Sequence, residues 1–189
     1  MRRIAAKVHV DGRLDEPVWS QVVPLGDFVQ TQPIEGAAAT ERTEAFLFYG
    51  SDKLYFGFKC YDSEPGKIVA RSDTHDARTN SDSVNIFLDP FGDRRTGYFF
   101  SINARGVQFD ALLTEASGMD PTWDGIWESA ARIESWGWSA EVAIPFKSIR
   151  FQSGQTWGIN LGRDIVRKNE RDNWQLVTRF DNLDRKSVV

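Results

Sequence analysis

The chain has 189 residues, of which 41% are hydrophobic and 26% charged, and its formal net charge is -4. This length fits a single domain with a sizeable core, and an acidic balance without a long basic run disfavours nucleic acid as a partner. No stretch approaches the ~20 consecutive apolar residues that a membrane helix needs, so we do not expect a membrane-spanning protein. One cysteine and two histidines exclude an internal disulfide and a zinc cluster of thiolates and imidazoles.

The N-terminal stretch VDGRLDEPVW, residues 10–19, predicts one short helix. Asp15 follows polar turn residues and suits the N-cap, because its carboxylate can accept hydrogen bonds from the first backbone N–H groups. Glu16 and Pro17 then fall in the first turn, where an acidic residue and a proline are favoured. We expect this helix to be confined to a turn or two near residues 15–22.

Beyond this segment the dominant signal is alternation with a period of two, which is typical of strands. In LYFGFKCY, residues 54–61, Leu54, Phe56, Phe58 and Cys60 share one face. Polar turns separate further alternating segments, namely EAFLFYG, SVNIFLD, GYFFSIN, GVQFDALL, AARIES, GWSAEVAIPF and TWGINLGRDI. Strands this numerous, without helical periods between them, predict an all-β fold: an antiparallel, jelly-roll-like β-sandwich.

We expect a single domain over residues 1–189, taken from a longer chain. The tail RFDNLDRKSVV is polar and loses the alternation. It is therefore expected to be a frayed end or the start of a connection to another part of the protein.

Four of the seven tryptophans lie in PTWDGIWESAARIESWGW, residues 121–138. Trp127 and Trp138 each lead an alternating apolar set, which predicts that they pack in the core. Trp123 lies in a loop and Trp136 in a turn, where a ring is harder to bury. These two rings can serve either packing or ligand stacking, and Trp123 beside Asp124 would suit a sugar, which offers an apolar face and hydroxyl groups.

No residue pattern indicates an active site. With 27 acidic residues, close carboxylate pairs are unavoidable and do not identify a glycosidase. His75 lies in the polar stretch RSDTHDAR, which lacks a nucleophile elbow, and is better explained as a solvated loop histidine. We therefore predict a protein that is not an enzyme.

Several aspartates offer the oxygen ligands that calcium prefers. The candidate metal ligands are Asp89 and Asp93 in LDPFGDRRTG and Asp82 in SDTHDARTNSD. Their spacing does not match an EF-hand loop. The alternative is that they shape turns and strand ends, since Asp side chains readily bond nearby backbone N–H groups. Both interpretations stay open at this point, with a structural calcium as the single cofactor considered.

A family resemblance emerges from the order of VDGRLDEPVW, LYFGFKCYDSEP, SDSVNIFLDPFGDRRTGYFFSINARGVQFDA, WDGIW, GWSAEVAIPFKSIRF and WGINLGRDI. Over residues 4 to about 178 the chain resembles the family 9 carbohydrate-binding module, particularly the version at the N-terminus of exported bacterial proteins often described as membrane-associated hydrolases. The resemblance implies a non-catalytic β-sandwich. In sugar-binding members a glucose-like or xylose-like unit lies between two aromatic rings, beside bound calcium.

The resemblance also implies site residues. The first clamp tryptophan falls at Thr79 or Asn80, so one ring of the clamp is missing here. The family's acidic sugar contact falls on Asn85. The second clamp tryptophan, which an asparagine precedes, falls on Trp174.

We therefore predict a weak sugar site at one edge or end of the sandwich. Trp174 is its stacking ring, Asn85, Arg105 and Asn173 are its polar contacts, and Trp123 is a second aromatic candidate. The alternative is that Trp174 packs over the edge of the sandwich and binds nothing. One ring with a few polar contacts predicts a dissociation constant near ~10⁻³ M, because ordering costs offset most of the contact energy.

The leading functional hypothesis is a carbohydrate-binding-type module of an exported hydrolase-like protein, with an oligo- or polysaccharide as its partner. The alternative is a structural or interaction module that has lost sugar binding and docks on the rest of its parent protein. The resemblance implies a secreted, periplasmic or outer-membrane-associated location. We expect a monomer joined to a further domain.

Overall fold

A computed structural model describes residues 1–72, 80–152, 154 and 156–176. Twelve strands run through this part of the chain: β1 Arg2–Arg3, β2 Val29–Gln32, β3 Thr43–Tyr49, β4 Lys53–Tyr61, β5 Ser83–Asp89, β6 Thr96–Asn103, β7 Gln108–Thr114, β8 Gly118–Asp120, β9 Glu128–Glu134, β10 Gly137–Pro145, β11 Gly158–Ile165 and β12 Glu170–Asn173. Four single 3-10 turns accompany them, at Trp19–Gln21, Pro65–Lys67, Phe146–Ser148 and Val166–Lys168.

The strands form two sheets. One has five strands in the order β1-β3-β4-β10-β9, and the other has seven in the order β2-β12-β11-β5-β6-β7-β8. Every pairing is antiparallel except that of the two-residue β1 with β3. The predicted all-β sandwich is confirmed, and the eight alternating segments correspond to β3–β7 and β9–β11.

The main core lies between the two sheets. The alternating sets predicted for β4 and β10 both point inward, since Phe56, Phe58, Trp138 and Val142 are almost fully buried in one cluster. The seven-stranded sheet contributes its own inward rows, represented by Ile86 on β5. Because side chains alternate across a strand, the residues between these rows lie on the outward faces of the sheets.

The N-terminal segment covers the outward face of the five-stranded sheet rather than forming a helix. Residues 15–22 contain a single 3-10 turn, preceded by Val18, which provides no capping side chain. The prediction of a helix with Asp15 as its N-cap is therefore wrong. The reason is tertiary: Glu141 on β10 accepts hydrogen bonds from the Gly12 backbone and the Trp19 indole, at 2.8 and 2.9 Å, and so fixes both ends of the segment.

The outward face of the seven-stranded sheet has a polar half and an apolar half. Ser83 and Asn85 on β5 lie level with β11 and β12, whose outward positions are also polar or glycine. Farther along the same strand, Phe87 packs with Phe99 and Phe109 in a separate apolar cluster. This face carries the candidate site.

Within the described residues, no helix is long and apolar enough to cross a membrane.

Candidate functional site

Three strands bring two asparagines together on the outward face of the seven-stranded sheet. In the strand register, Gly162 of β11 lies between Asn173 of β12 and Asn85 of β5. Both asparagine side chains point to the face opposite the core rows, and both residues are at least nine-tenths buried. The structure therefore brings together two of the predicted polar contacts, which lie 88 positions apart in the sequence.

Gly162 forms the floor between the two amides. A Cβ atom at this position would lie 2.7 Å from Asn173 Oδ1 and 3.6 Å from the Asn85 Cβ. The first distance is shorter than van der Waals contact allows, so a glycine is needed for the Asn173 side chain to lie over β11. The Asn173 amide therefore lies over Gly162, in the shallow recess that the missing side chain leaves between β5 and β12.

Asp164 organises the polar side chains around this recess. Its Oδ2 accepts hydrogen bonds from Asn85 Nδ2 at 3.0 Å and from the Ser83 hydroxyl at 3.3 Å, while its Oδ1 accepts one from Arg171 Nε at 2.8 Å. These bonds fix the orientation of the Asn85 amide. Its Oδ1 is buried and receives no hydrogen bond from the described residues. A buried acceptor without a donor is costly, and because this atom has almost no exposed surface, a ligand hydroxyl group could bond to it only if a neighbouring side chain moved aside.

A cavity of about 390 Å³ opens beside this cluster. Asn80 and Ser81 line one side of it, and Asp164, Asn169 and Arg171 line the other. The cavity size lies within the range of small-ligand sites, and its lining is rich in hydroxyl, amide and charged groups. Asn80 is one of the two positions where the family resemblance places the missing ring; the other, Thr79, lies outside the described residues, as does His75.

Trp174 follows β12 directly and is half-buried. Its backbone N–H donates to Leu161 O at 2.8 Å, and its ring packs against the main core. The next residue, Gln175, is held by Asn160 of β11, whose Oδ1 accepts the Gln175 N–H at 3.1 Å and whose Nδ2 donates to the Gln175 carbonyl at 3.1 Å. The Trp174 ring thus lies on the inward side of the seven-stranded sheet, whereas the Asn85 and Asn173 side chains lie on its outward face, and part of the ring surface is exposed at the end of β12.

The other two predicted ligand residues lie apart from the asparagine pair. Arg105 is exposed in the β6–β7 turn, and its Nε donates to Ala70 O at 3.1 Å. This places it near the start of β5, at the rim of the polar half. Trp123 packs against Tyr98 and Phe100 on the inward side of the seven-stranded sheet, with ring centroids at 4.8 and 5.8 Å. It is therefore separated from the recess by the sheet itself.

Trp127 and Trp138 are core residues, as predicted. Trp138 is fully buried, and Trp127 packs on Phe100 while its Nε1 donates to Asp110 Oδ2 at 2.7 Å. Trp136 remains half-buried beside Tyr61, with ring centroids 5.2 Å apart. Packing therefore explains most of this tryptophan-rich stretch.

The three candidate calcium ligands do not come together. Asp82 and Asp89 flank opposite ends of β5. The Asp89 carboxylate accepts backbone N–H groups of residues 91, 92 and 94 at 2.8–3.2 Å, and Asp93 Oδ1 accepts those of residues 95 and 96. Both side chains therefore shape the β5–β6 turn.

Asp82 is fully buried, and its pKa is raised by burial. One of its oxygens accepts the Val166 N–H at 2.8 Å, and the other receives no hydrogen bond from the described residues. In this part of the chain no group of three or more His, Cys, Asp or Glu side chains is arranged to hold a metal ion. The described residues thus do not assemble a calcium site, and calcium binding stays a prediction.

Beneath the site, β12 carries buried acidic residues on its inward side. Asp172 is fully buried, lies opposite Arg163 in the strand register, and has a pKa raised to about 8 by burial and by the nearby Glu170. Arg163 does not bond to it but donates to the Arg42 and Tyr61 carbonyls of the facing sheet, at 3.1 and 2.9 Å. Arg163 therefore ties the two sheets together behind the recess.

A second buried network joins β4, the β2–β3 connection and the turn after β11. Arg167 donates to Glu41 and Asp62 at 2.7 and 2.6 Å. Although burial opposes it, hydrogen bonds from Lys168, Ser63 and Arg167 lower the pKa of Glu41 to about 2. This network fixes the segment Val166–Lys168 that borders the polar cavity.

Sequence reasoning missed Gly162, Asp164 and Glu141. Glu141 is an acid on a strand that otherwise reads as apolar, GWSAEVAIPF, and this conflict was the available signal for a buried anchor. The roles of Gly162 and Asp164 depend on which strands are neighbours, which the alternation of apolar residues does not reveal.

The fold and this face together define a β-sandwich binding module with a polar recess on one sheet and no assembled catalytic group among the described residues. Residues 10–179 match the family model described as carbohydrate family 9 binding domain-like. The chain belongs to this family. It is therefore a binding module rather than an enzyme.

Known proteins share the sequence or the fold at low identity. Endo-1,4-beta-xylanase A of Thermoanaerobacterium saccharolyticum is 25% identical over 186 residues, which cover 92% of this chain but 15% of that enzyme. A family 9 carbohydrate binding module from Caldicellulosiruptor kristjanssonii, solved in complex with glucose, matches with a TM-score of 0.64 at 16% identity and covers 92% of this chain and 85% of its own. A protein from Bacteroides uniformis ATCC 8492 matches with a TM-score of 0.73 at 12% identity, covering 98% and 90%. The two structural likenesses establish the fold.

Proposed function

We propose that this chain is a non-catalytic carbohydrate-binding module whose site is the recess formed by Asn85, Gly162 and Asn173 with the adjoining polar cavity. The observation that carries the proposal is the buried Asn85 Oδ1, which has no donor among the described residues while Asp164 fixes its amide. Family membership supports the proposal, and so does the glucose complex of the Caldicellulosiruptor kristjanssonii module.

The side chains around the recess match the chemistry of a sugar. A pyranose presents hydroxyl groups that both donate and accept hydrogen bonds, and amide side chains can do the same. Asn85 Oδ1 would accept from one hydroxyl, the Asn173 amide would contact a second, and Arg171, whose side chain is 46% exposed, would donate to a third. Asn80 lies across the cavity for an outer contact.

Trp174 is the stacking ring of this proposal. It follows Asn173 and is half-buried, and its ring packs against the main core, so a sugar could contact only the part of the ring that is exposed at the end of β12. A pyranose has an apolar C–H face, which packs favourably on an aromatic ring. With one ring in place of two, weak binding near ~10⁻³ M is expected.

The wider context is also part of the proposal. The module would position a hydrolase-like parent protein on a polysaccharide outside the cytoplasm, in a secreted, periplasmic or outer-membrane-associated location. The similarity to a xylanase supports a hydrolase parent, although the chain spans 15% of that enzyme's length.

Titration with soluble saccharides tests the function. Glucose, xylose, cellotriose and xylotriose would be added while tryptophan fluorescence and the side-chain amide signals of the NMR spectrum are followed. We expect shifts of the Asn85 and Asn173 amides in the wild type, a loss of at least fivefold in affinity in Trp174→Ala, and no change in Trp136→Ala, a half-buried ring outside the site.

If Trp174→Ala responds as the wild type does, the stacking ring is wrongly assigned. If no saccharide shifts any signal, sugar binding is contradicted, and the alternative of an interaction module that docks on its parent protein is favoured.

A further inference from the structure

A second cavity, of about 610 Å³, lies on the same outward face as the proposed sugar site. Its apolar lining comes from Phe87 on β5, Leu113 on β7 and Met119 on β8. Leu113 and Met119 are register partners, so their side chains share this face of the sheet. The cavity is separate from the polar one, with which it shares no lining residue.

The two halves of the face are continuous along β5. Asn85 and Phe87 are two positions apart on one strand, so their side chains point to the same side at a spacing of about 7 Å. Phe87 is half-buried, and its ring is supported by Phe99, with centroids 4.9 Å apart. A ligand that extends from the recess toward the end of β5 would meet this ring first.

The rim of the cavity is polar and has no net charge. Arg94 and Arg95 lie on it together with Asp93 and Glu115. Arg95 and Glu115 approach to 3.4 Å, and both side chains are largely exposed. Because two positive groups are balanced by two negative ones, the cavity favours a neutral ligand that combines an apolar face with hydrogen-bonding groups.

We infer that this cavity is a second sugar subsite, in which Phe87 stacks against a neighbouring unit of a neutral oligosaccharide whose first unit occupies the Asn85–Asn173 recess. The inference rests on the proposed function and deepens it, since it makes the ligand a chain rather than a monosaccharide. Phe87 on this strand would supply a second stacking ring, on the far side of Asn85 from the missing clamp position.

The Phe87 ring should make the affinity of the protein for a saccharide increase with the length of the saccharide. One aromatic contact contributes roughly 0.5–1.5 kcal/mol, which corresponds to about a two- to tenfold gain in affinity. Cellotriose should therefore bind more tightly than glucose by about this factor. Phe87→Leu, which keeps an apolar side chain against Phe99 but removes the ring, should abolish the gain and leave glucose affinity unchanged. Phe151→Leu, at an exposed ring outside this face, is the matched control and should leave both affinities unchanged.

The chain contains two methionines, Met1 and Met119, which gives a direct test in the wild type. After labelling of the methionine methyl groups with ¹³C, glucose should shift the Asn85 and Asn173 amide signals but not the Met119 methyl signal. Cellotriose should shift all three, with Met1 as the internal reference.

The outcomes separate the two claims. If cellotriose shifts the amide signals but not Met119, the second subsite is wrong and the proposed function stands. If neither saccharide shifts any of the signals, both are wrong. If the Met119 signal instead changes with protein concentration alone, a second copy of the chain occupies the cavity and the subsite is overturned.

Discussion

Replacing Asp172 by asparagine should stabilise the protein at neutral pH and flatten its dependence on pH. Asp172 is fully buried, no N–H or O–H group of the described residues donates to its carboxylate, and its pKa is raised to about 8 by burial and by Glu170. Arg163 opposes this rise but does not reverse it. In the folded protein at pH 7, Asp172 is therefore neutral and can donate a hydrogen bond to Glu170.

Stability should fall as the pH rises, because the pKa of Asp172 is higher in the folded protein than in the unfolded chain. In the unfolded chain an aspartate titrates near ~3.9. Between this value and about 8 the unfolded state releases a proton that the folded state keeps, so stability is fully present below pH ~4 and is lost as the pH rises. At about 1.4 kcal/mol per pH unit, roughly 4 kcal/mol of the free energy of unfolding is lost by pH 7.

An asparagine cannot ionise, and its amide can still donate to Glu170. Asp172→Asn should therefore gain up to about 4 kcal/mol at pH 7 and almost nothing at pH 4. Urea denaturation of the wild type and the variant at pH 4, 5, 6, 7 and 8 measures this difference. Asp124→Asn, at an exposed loop carboxylate, is the control. A difference that is the same at every pH, or a loss of stability at pH 7, would contradict a neutral buried Asp172.

Three further predictions concern the core, the N-terminal segment and metal. Trp138→Ala should reduce the free energy of unfolding by about 3–5 kcal/mol, since the ring is fully buried, and a loss below about 1 kcal/mol in chemical denaturation would place the ring outside the core. Glu141→Gln should reduce the free energy of unfolding by about 1–3 kcal/mol, because one amide oxygen cannot replace two carboxylate oxygens that accept three N–H groups. A melting temperature equal to that of the wild type would show that these hydrogen bonds contribute little to stability. If Asp82, Asp89 or Asp93 binds calcium, the melting temperature should be higher in millimolar calcium than in chelator. Equal melting temperatures would contradict calcium binding by these residues.

The main strands could be predicted because burial on one face leaves a direct trace in the sequence. Phe56 and Phe58 on β4 and Val142 on β10 lie in the core at the positions that alternation indicates. By contrast, β12 reads ERDN and was missed, because its inward positions are Glu170 and Asp172. These acidic residues lie in the interior beside groups that are distant in the sequence, such as Thr40, whose N–H and hydroxyl donate to Glu170.

The N-terminal helix was wrongly predicted for a related reason. The local signals at Asp15 and Pro17 favour a helix start, but the hydrogen bonds from Gly12 and Trp19 to Glu141 hold the chain in another path. Local propensity is a weak prior when a buried group on a distant strand supplies several hydrogen bonds. The buried acid in GWSAEVAIPF was the one trace of this arrangement in the sequence.

The residues of the candidate site were also only partly predictable from the sequence. Asn85, Asn173 and Trp174 were reached through the family resemblance, and the structure brings the two asparagines onto one face. Gly162 and Asp164 required the register of β5, β11 and β12. Trp123 stayed open between packing and ligand stacking, because a loop position next to an aspartate did not reveal that its ring packs on Tyr98.

The most direct test of the proposed function displaces the Asn173 amide from its place over Gly162 without replacing any polar side chain. Gly162→Ala places a Cβ 2.7 Å from Asn173 Oδ1, whereas Gly66→Ala, the matched control, adds a Cβ that meets no atom within 4 Å. The affinities of the wild type and both variants for glucose and cellotriose would be measured by NMR titration, with thermal melts to verify folding. We predict wild-type affinity for Gly66→Ala and at least a tenfold loss for a folded Gly162→Ala. Equal affinities in all three proteins, or no binding by the wild type, would contradict a sugar site between Asn85 and Asn173.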